Sequence, residues 1–219
     1  MIVNHEYRFI FLKTYKTAGT SLEIALSKHC SDDDIVTRIQ EEDYRQSLGA
    51  RAGFDPIIQK AGRNIQVSNH CSAEIAKRIV GAQNWQRYTK FTIERNPFDK
   101  CLSHYWYFLS EKRTSLSLSD WLYKASIYYP ELITNWPLYT IRGKIAVDHF
   151  LFFENLPDDF TRVEDILELK LDIPAYRVKS EHKPDQKEFR DYRKMLSDSD
   201  RKLIERVCRK EIDYFDYTF

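Results

Sequence analysis

Residues 13–21 read KTYKTAGTS, a cationic, hydroxyl-rich turn set between an apolar run and a helix-like stretch. Lys16, Thr17, Ala18, Gly19, Thr20 and Ser21 are the types that hold a phosphate or sulfate. A helix N-terminus presents unpaired N–H groups and a partial positive charge. Gly19 lets the backbone approach an anion closely, the hydroxyls of Thr20 and Ser21 can donate to it, and Lys16 brings a full charge to a leaving group. In the plainer alternative Thr20 caps the helix and Lys16 is solvated. Nucleoside triphosphate loops follow G-x-x-x-x-G-K-[ST]. Here Lys16 precedes Gly19, which argues against an ATP loop and for a less charged group held without metal, such as a sulfuryl.

Arg95 closes an apolar run, and Ser103 follows eight residues later, nearly two turns into the next helix. A guanidinium fork and a hydroxyl can grip one phosphate from two sides; an ordinary surface ion pair is the alternative for Arg95, and a local backbone bond for Ser103. His70, in IQVSNHCSAEIAKRI, is the candidate general base at a strand end, with Glu74 in reserve. A Cys71–His70 thiol–imidazole pair is rejected, since adjacent strand residues point to opposite faces.

Strand-like runs at 7–13, 65–69, 89–95 and 149–153, each followed by a helical pattern, predict an α/β fold with a parallel sheet. In such sheets ligands sit at the carboxyl ends of strands, where His70, Lys16 and Arg95 would all lie. Asn96-Pro97 predicts a helix start running to about residue 111, and Ser197 and Ser199 predict another. Residues 31–64, acidic and then basic, read as an excursion between the first helix and the second strand, either covering a substrate or serving as a surface insertion.

The 219 residues, 42% apolar and without a low-complexity linker, suit one domain over 1–219. With 34 Lys plus Arg against 33 Asp plus Glu there is no overall electrostatic case for nucleic acid. Cys30, Cys71, Cys101 and Cys208 have no zinc spacing and read as reduced thiols. No leader pattern or run of about 20 apolar residues appears. A soluble, cytoplasmic protein is the expectation.

KTYKTAGTSLE resembles the 5′-phosphosulfate loop of sulfotransferases that use 3′-phosphoadenosine 5′-phosphosulfate (PAPS), especially the carbohydrate-modifying branch, with Tyr15 where proline is common. TIERNPFDKCLSHYWYF resembles that family's 3′-phosphate segment, with Lys100 in place of a frequent arginine. VDHFLFFENLPDDF and DYFDYTF resemble its later segments, with Phe152 at a usual arginine position. KSEHKPDQKEFRDY resembles a loop that closes over the nucleotide and offers Lys179, His182 and Lys183 to the 3′-phosphate. The resemblance implies a P-loop-type, three-layer α/β/α fold with a central parallel sheet. It implies PAPS bound by residues 16–21, Arg95, Ser103 and Lys183, catalysis by Lys16 and His70, and no metal. It further implies a hydroxyl-bearing acceptor, a saccharide or glycoconjugate, with no nucleic acid and no membrane span. Two rivals stand beside it: a small-molecule kinase using Mg-ATP, and a non-catalytic nucleotide-binding module. Tyr105, Trp106, Tyr107, Trp121, Trp136 and Tyr139 are aromatics that could stack on sugar rings.

Overall fold

A computed structural model describes residues 1–60, 62–173 and 191–219. In chain order the elements begin β1 (Ile2–Asn4), β2 (Phe9–Leu12), α1 (Gly19–Ser27), β3 (Ile35–Val36), α2 (Glu42–Ser47), β4 (Ile57–Lys60) and β5 (Arg63–Gln66). They continue α3 (Ala73–Val80), α4 (Ala82–Arg87), β6 (Thr89–Glu94), α5 (Pro97–Ser110), α6 (Leu118–Tyr128) and α7 (Trp136–Tyr139). The chain closes with β7 (Thr140–Ile141), β8 (Lys144–Ile145), β9 (His149–Phe152), α8 (Leu156–Leu167), α9 (Tyr192–Met195), α10 (Asp198–Val207) and α11 (Arg209–Phe215).

Two compact units share the chain. Among the described residues the first holds 1–14, 18–94 and 137–173; the second holds 15–17, 95–136 and 191–219.

The first unit is built on a five-stranded mixed sheet in the order β3-β1-β2-β6-β9. Its centre is parallel, with Phe11 opposite Phe91 and Phe91 opposite His149. β1 runs antiparallel to both β2 and β3. The centre follows from composition: Phe9, Ile10, Phe11 and Leu12 are all fully buried, the continuous apolar run of a strand covered on both faces. Phe9, Phe11, Phe91, Ile93 and Leu151 pack with Leu22 and Leu26 of α1 and Val163 and Leu167 of α8. Each such side chain contributes about 1.5–3 kcal/mol by leaving water.

Three corrections to the sequence reading belong to this unit. The sheet is mixed rather than wholly parallel, because β1 and β3 add an antiparallel edge. The run expected at 65–69 is not a sheet strand: only Ile65 and Gln66 are extended, and they belong to the separate β4–β5 hairpin. Its strands pair Ile58 with Ile65 and Lys60 with Arg63, and Gly62, at φ 74°, lies in the connection, a conformation that glycine adopts without steric cost. His70 therefore does not close a strand of the central sheet. Residues 31–64, read as an excursion, in part join that sheet through β3 and otherwise contribute α2, the hairpin's first strand and the start of its second.

The second unit is helical among its described residues. Asn96 caps α5 by accepting from the Phe98 N–H at 3.0 Å, with Pro97 at the first helical position. Ser197 and Asp200 form a reciprocal capping box at the start of α10. The core joins Phe98, Cys101, Leu102, Tyr105, Trp121, Leu122, Ile133, Ile204 and Cys208, with Phe219 against Phe98 at 5.1 Å between ring centroids. No helix among the described residues is long and apolar enough to cross a membrane.

Candidate functional site

In the first unit the strand end, the helix start and His70 are tied together by Lys13. Its side chain is 4% exposed and its Nζ lies 2.7 Å from Glu23 Oε2 on α1. Gly19 makes the passage possible: a Cβ there would sit 3.1 Å from Lys13 Cγ. Glu23, fully buried, also meets the amine of Met1 at 3.0 Å and Arg45 Nη2 at 3.5 Å. Burial alone would raise its carboxyl, but Lys13, the amine and Arg45 overcome that and hold it down at about 2. The β2 and β6 ends are stitched by the Thr14 hydroxyl donating to the Ile93 carbonyl and the Thr92 hydroxyl donating to Leu12 O.

His70 lies just before α3, whose N-cap Ser72 accepts weakly from the Ile75 N–H at 3.4 Å. Its Nδ1 is 3.2 Å from the Lys13 carbonyl. A carbonyl can only accept, so Nδ1 carries the proton and Nε2 the lone pair. Burial, then the charges of Lys13 and the Met1 amine, push this imidazole well below its ordinary value, so it is neutral at pH 7. Glu74, the reserve base, is exposed and paired with Arg78 at 2.8 Å. Cys71 points its sulfur at Met1 Sδ, 3.1 Å away, and burial pushes its thiol up to about 11. Strand alternation, the sequence ground for rejecting a thiol–imidazole pair, does not apply, because His70 and Cys71 lie outside any strand; the contact of the Cys71 sulfur with Met1 takes its place.

Residues 16–18 carry backbone strain of a definite kind. Lys16 has φ 59° and Ala18 φ 62°, both left-handed without being glycine. Ala18 is the N-cap residue of α1, and Gly19 and Thr20 are buried in its first turn. Left-handed residues placed within a turn are among the backbone conformations from which anion-binding nests are built. Strain of this type is concentrated at functional sites.

The second unit holds the other half of this loop. The Asn135 amide grips Tyr15 on both backbone groups, accepting from its N–H at 3.0 Å and donating to its carbonyl at 3.2 Å. The Tyr15 ring stacks on His104 with centroids 5.6 Å apart. Arg95 donates from Nη1 to the Lys16 carbonyl at 2.9 Å and from Nε and Nη2 to Asp99 Oδ2 at 2.8 and 2.6 Å. Lys16 Nζ lies over the Tyr107 ring, 4.4 Å from its centroid. Thr17 is buried and Ser103 is half-buried on α5.

The predicted residues thus fall into two groups: Ala18, Gly19, Thr20, Ser21 and His70 in the first unit, and Lys16, Thr17, Arg95 and Ser103 in the second. Lys179, His182 and Lys183 lie outside the described residues. Of the aromatics proposed for sugar stacking, Tyr105, Trp121 and Tyr139 are buried in cores. Sequence reasoning missed Asn135 and Lys13. Asn135 sits 120 residues from Tyr15, and no local pattern marks such a pair. Among the described residues, no group of three or more His, Cys, Asp or Glu side chains is placed to hold a metal ion.

No protein-family profile matches this chain, and no solved structure matches it. It is similar to an uncharacterized protein of Archaeoglobus fulgidus, 34% identical over an alignment of 100 positions that covers 42% of this chain and 77% of that protein. The two proteins belong to one family.

Proposed function

We propose that the chain is a PAPS-dependent sulfotransferase of P-loop type and three-layer α/β/α architecture, transferring a sulfuryl group to an acceptor hydroxyl, on a saccharide. The observation that carries this reading is the loop at 16–19, where left-handed Lys16 and Ala18 lead directly into the N-terminus of α1. Such a backbone suits an oxyanion, and its lysine precedes the glycine, unlike the arrangement that serves ATP. In this reading residues 16–21 hold the phosphosulfate and the Ser103 hydroxyl takes the 3′-phosphate. Arg95, whose fork already spans Asp99 and the Lys16 carbonyl, shapes the loop and reaches the nucleotide only by exchanging Asp99 for it. His70 suits a base because it is neutral with its lone pair on Nε2.

The step balances as an in-line displacement. The acceptor oxygen bonds to sulfur, the bond from sulfur to the 5′-phosphate oxygen breaks, and the hydroxyl proton passes to His70 Nε2. Products are a sulfate ester and adenosine 3′,5′-bisphosphate, with Lys16 neutralising charge on the departing phosphate. Positioning and electrostatics dominate such transfers.

Turnover of labelled PAPS with a panel of saccharides tests the reading. His70→Gln should lower turnover by about 10²–10⁴ while sparing affinity for the bisphosphate. Because the imidazole is held below its ordinary value, the wild-type rate should stay level as pH falls through about 6.5 and drop only at lower pH. A His70→Gln enzyme with nearly full turnover would remove His70 from catalysis. Turnover of Mg-ATP in place of PAPS would replace the reaction itself.

A further inference from the structure

Arg113 lies just past α5, in a position its backbone fixes. The Arg113 N–H donates to the Phe108 carbonyl at 2.8 Å and the Lys112 N–H to the Leu109 carbonyl at 3.1 Å. With Lys112 left-handed at φ 54°, these bonds make the two-bond Schellman closure of a helix C-terminus. Arg113 is exposed, and its Cζ lies 5.4 Å from the centroid of the Tyr107 ring. That ring is the one on which Lys16 Nζ rests at 4.4 Å. Two cations thus share one aromatic side chain, and among the described residues no carboxylate forms an ion pair with Arg113. A ring face attracts an exposed cation only weakly, while a guanidinium grips a carboxylate or sulfate through two parallel N–H bonds.

We propose that Arg113 is a specificity-determining residue that binds an anionic group, carboxylate or sulfate ester, carried by the acceptor. This rests on the sulfotransferase reading, in which Lys16 serves the donor beside the same ring. Arg113 belongs to neither of the two stretches assigned to the donor, the loop at 16–21 and the Arg95–Ser103 segment. The acceptor is therefore an acidic saccharide rather than a neutral one, selected by charge at the exposed end of α5.

The test is calorimetric titration with a uronic-acid disaccharide and its neutral counterpart, with and without adenosine 3′,5′-bisphosphate, on wild type, Arg113→Ala and Arg113→Lys. Wild type should bind the acidic disaccharide at least about tenfold more tightly than the neutral one. Arg113→Ala should lose about ten- to a hundredfold for the acidic disaccharide alone, and Arg113→Lys should fall between. Affinity for the bisphosphate should be the same in all three proteins. Equal binding of both sugars by wild type would overturn the proposal, as would an acidic affinity untouched by Arg113→Ala. A parallel loss of bisphosphate affinity would move Arg113 to the donor and overturn it too. Absence of bisphosphate binding in wild type is a separate result that sinks the donor reading, while the titrations without nucleotide still decide whether Arg113 selects the anion.

Discussion

Lys13 and Lys16 are neighbours in sequence and opposites in circumstance. Lys13 belongs to the first unit, where its ammonium meets the Glu23 carboxylate in a fully dry setting shared with Arg45 and the Met1 amine. Lys16 belongs to the second, where its ammonium rests over Tyr107 and its carbonyl is held by Arg95. A buried charge pair cannot lose one member without stranding the other, so Lys13 is committed to the fold. The same residue type thus closes a buried ion pair at one position and lies over an aromatic ring three residues later.

Substitutions should separate the two lysines by stability. Glu23→Gln leaves three cations without their carboxylate and should cost about 3–5 kcal/mol in denaturant unfolding. Lys13→Ala should be of the same order, whereas Lys16→Ala, at a half-buried side chain, should cost less. Equal losses for both lysines would break the contrast.

Acid sharpens the same contrast from the carboxylate side. Glu23 is held at about 2, against an ordinary value near 4.5, so its stabilisation is complete above about pH 4.5 and disappears as pH falls toward 2. That interval corresponds to roughly 3 kcal/mol. His70 adds to the trend: its imidazole resists protonation in the fold but not in the unfolded chain, so stability declines further as pH falls below about 6.5. Denaturant titrations at stepped pH should show this decline, and Glu23→Gln should flatten the portion below pH 4.5. An unchanged acid profile in that variant would remove Glu23 as its source.

Asn135 gives a smaller effect than the buried Glu23 carboxylate. Asn135→Ala removes both bonds to the Tyr15 backbone and should cost about 1–3 kcal/mol of stability. Because Tyr15 adjoins Lys16, the variant should also weaken bisphosphate binding. Unaltered binding would show that the loop keeps its shape without this clamp.

What the sequence made legible was local. The apolar runs gave β2, β6 and β9, the Asn96-Pro97 pair gave the start of α5, and Ser197 with Ser199 gave the start of α10, whose capping box Ser197 closes with Asp200. Three-residue β1 and two-residue β3 are too short to show a period, so the antiparallel edge was hidden. The run at 65–69 was misplaced because an apolar pair after a glycine serves a hairpin as well as a sheet strand. At the candidate site the loop motif was readable, but the partners that define its members were not. Glu23 for Lys13 and Tyr107 for Lys16 are chosen by tertiary contact, not by spacing, whereas Asp99 stands four residues after Arg95, a pairing that local spacing allows. Gly19, read as a close approach to an anion, also makes room for the Lys13 side chain.

The most direct test of the central claim is calorimetric titration of adenosine 3′,5′-bisphosphate into metal-free protein, beside Mg-ATP, for wild type and Lys16→Ala. The account predicts that the bisphosphate binds without metal, that Mg-ATP binds more weakly, and that Lys16→Ala loses about ten- to a hundredfold in affinity for the bisphosphate while remaining folded. Equal or tighter binding of Mg-ATP, or bisphosphate binding indifferent to Lys16, would contradict it.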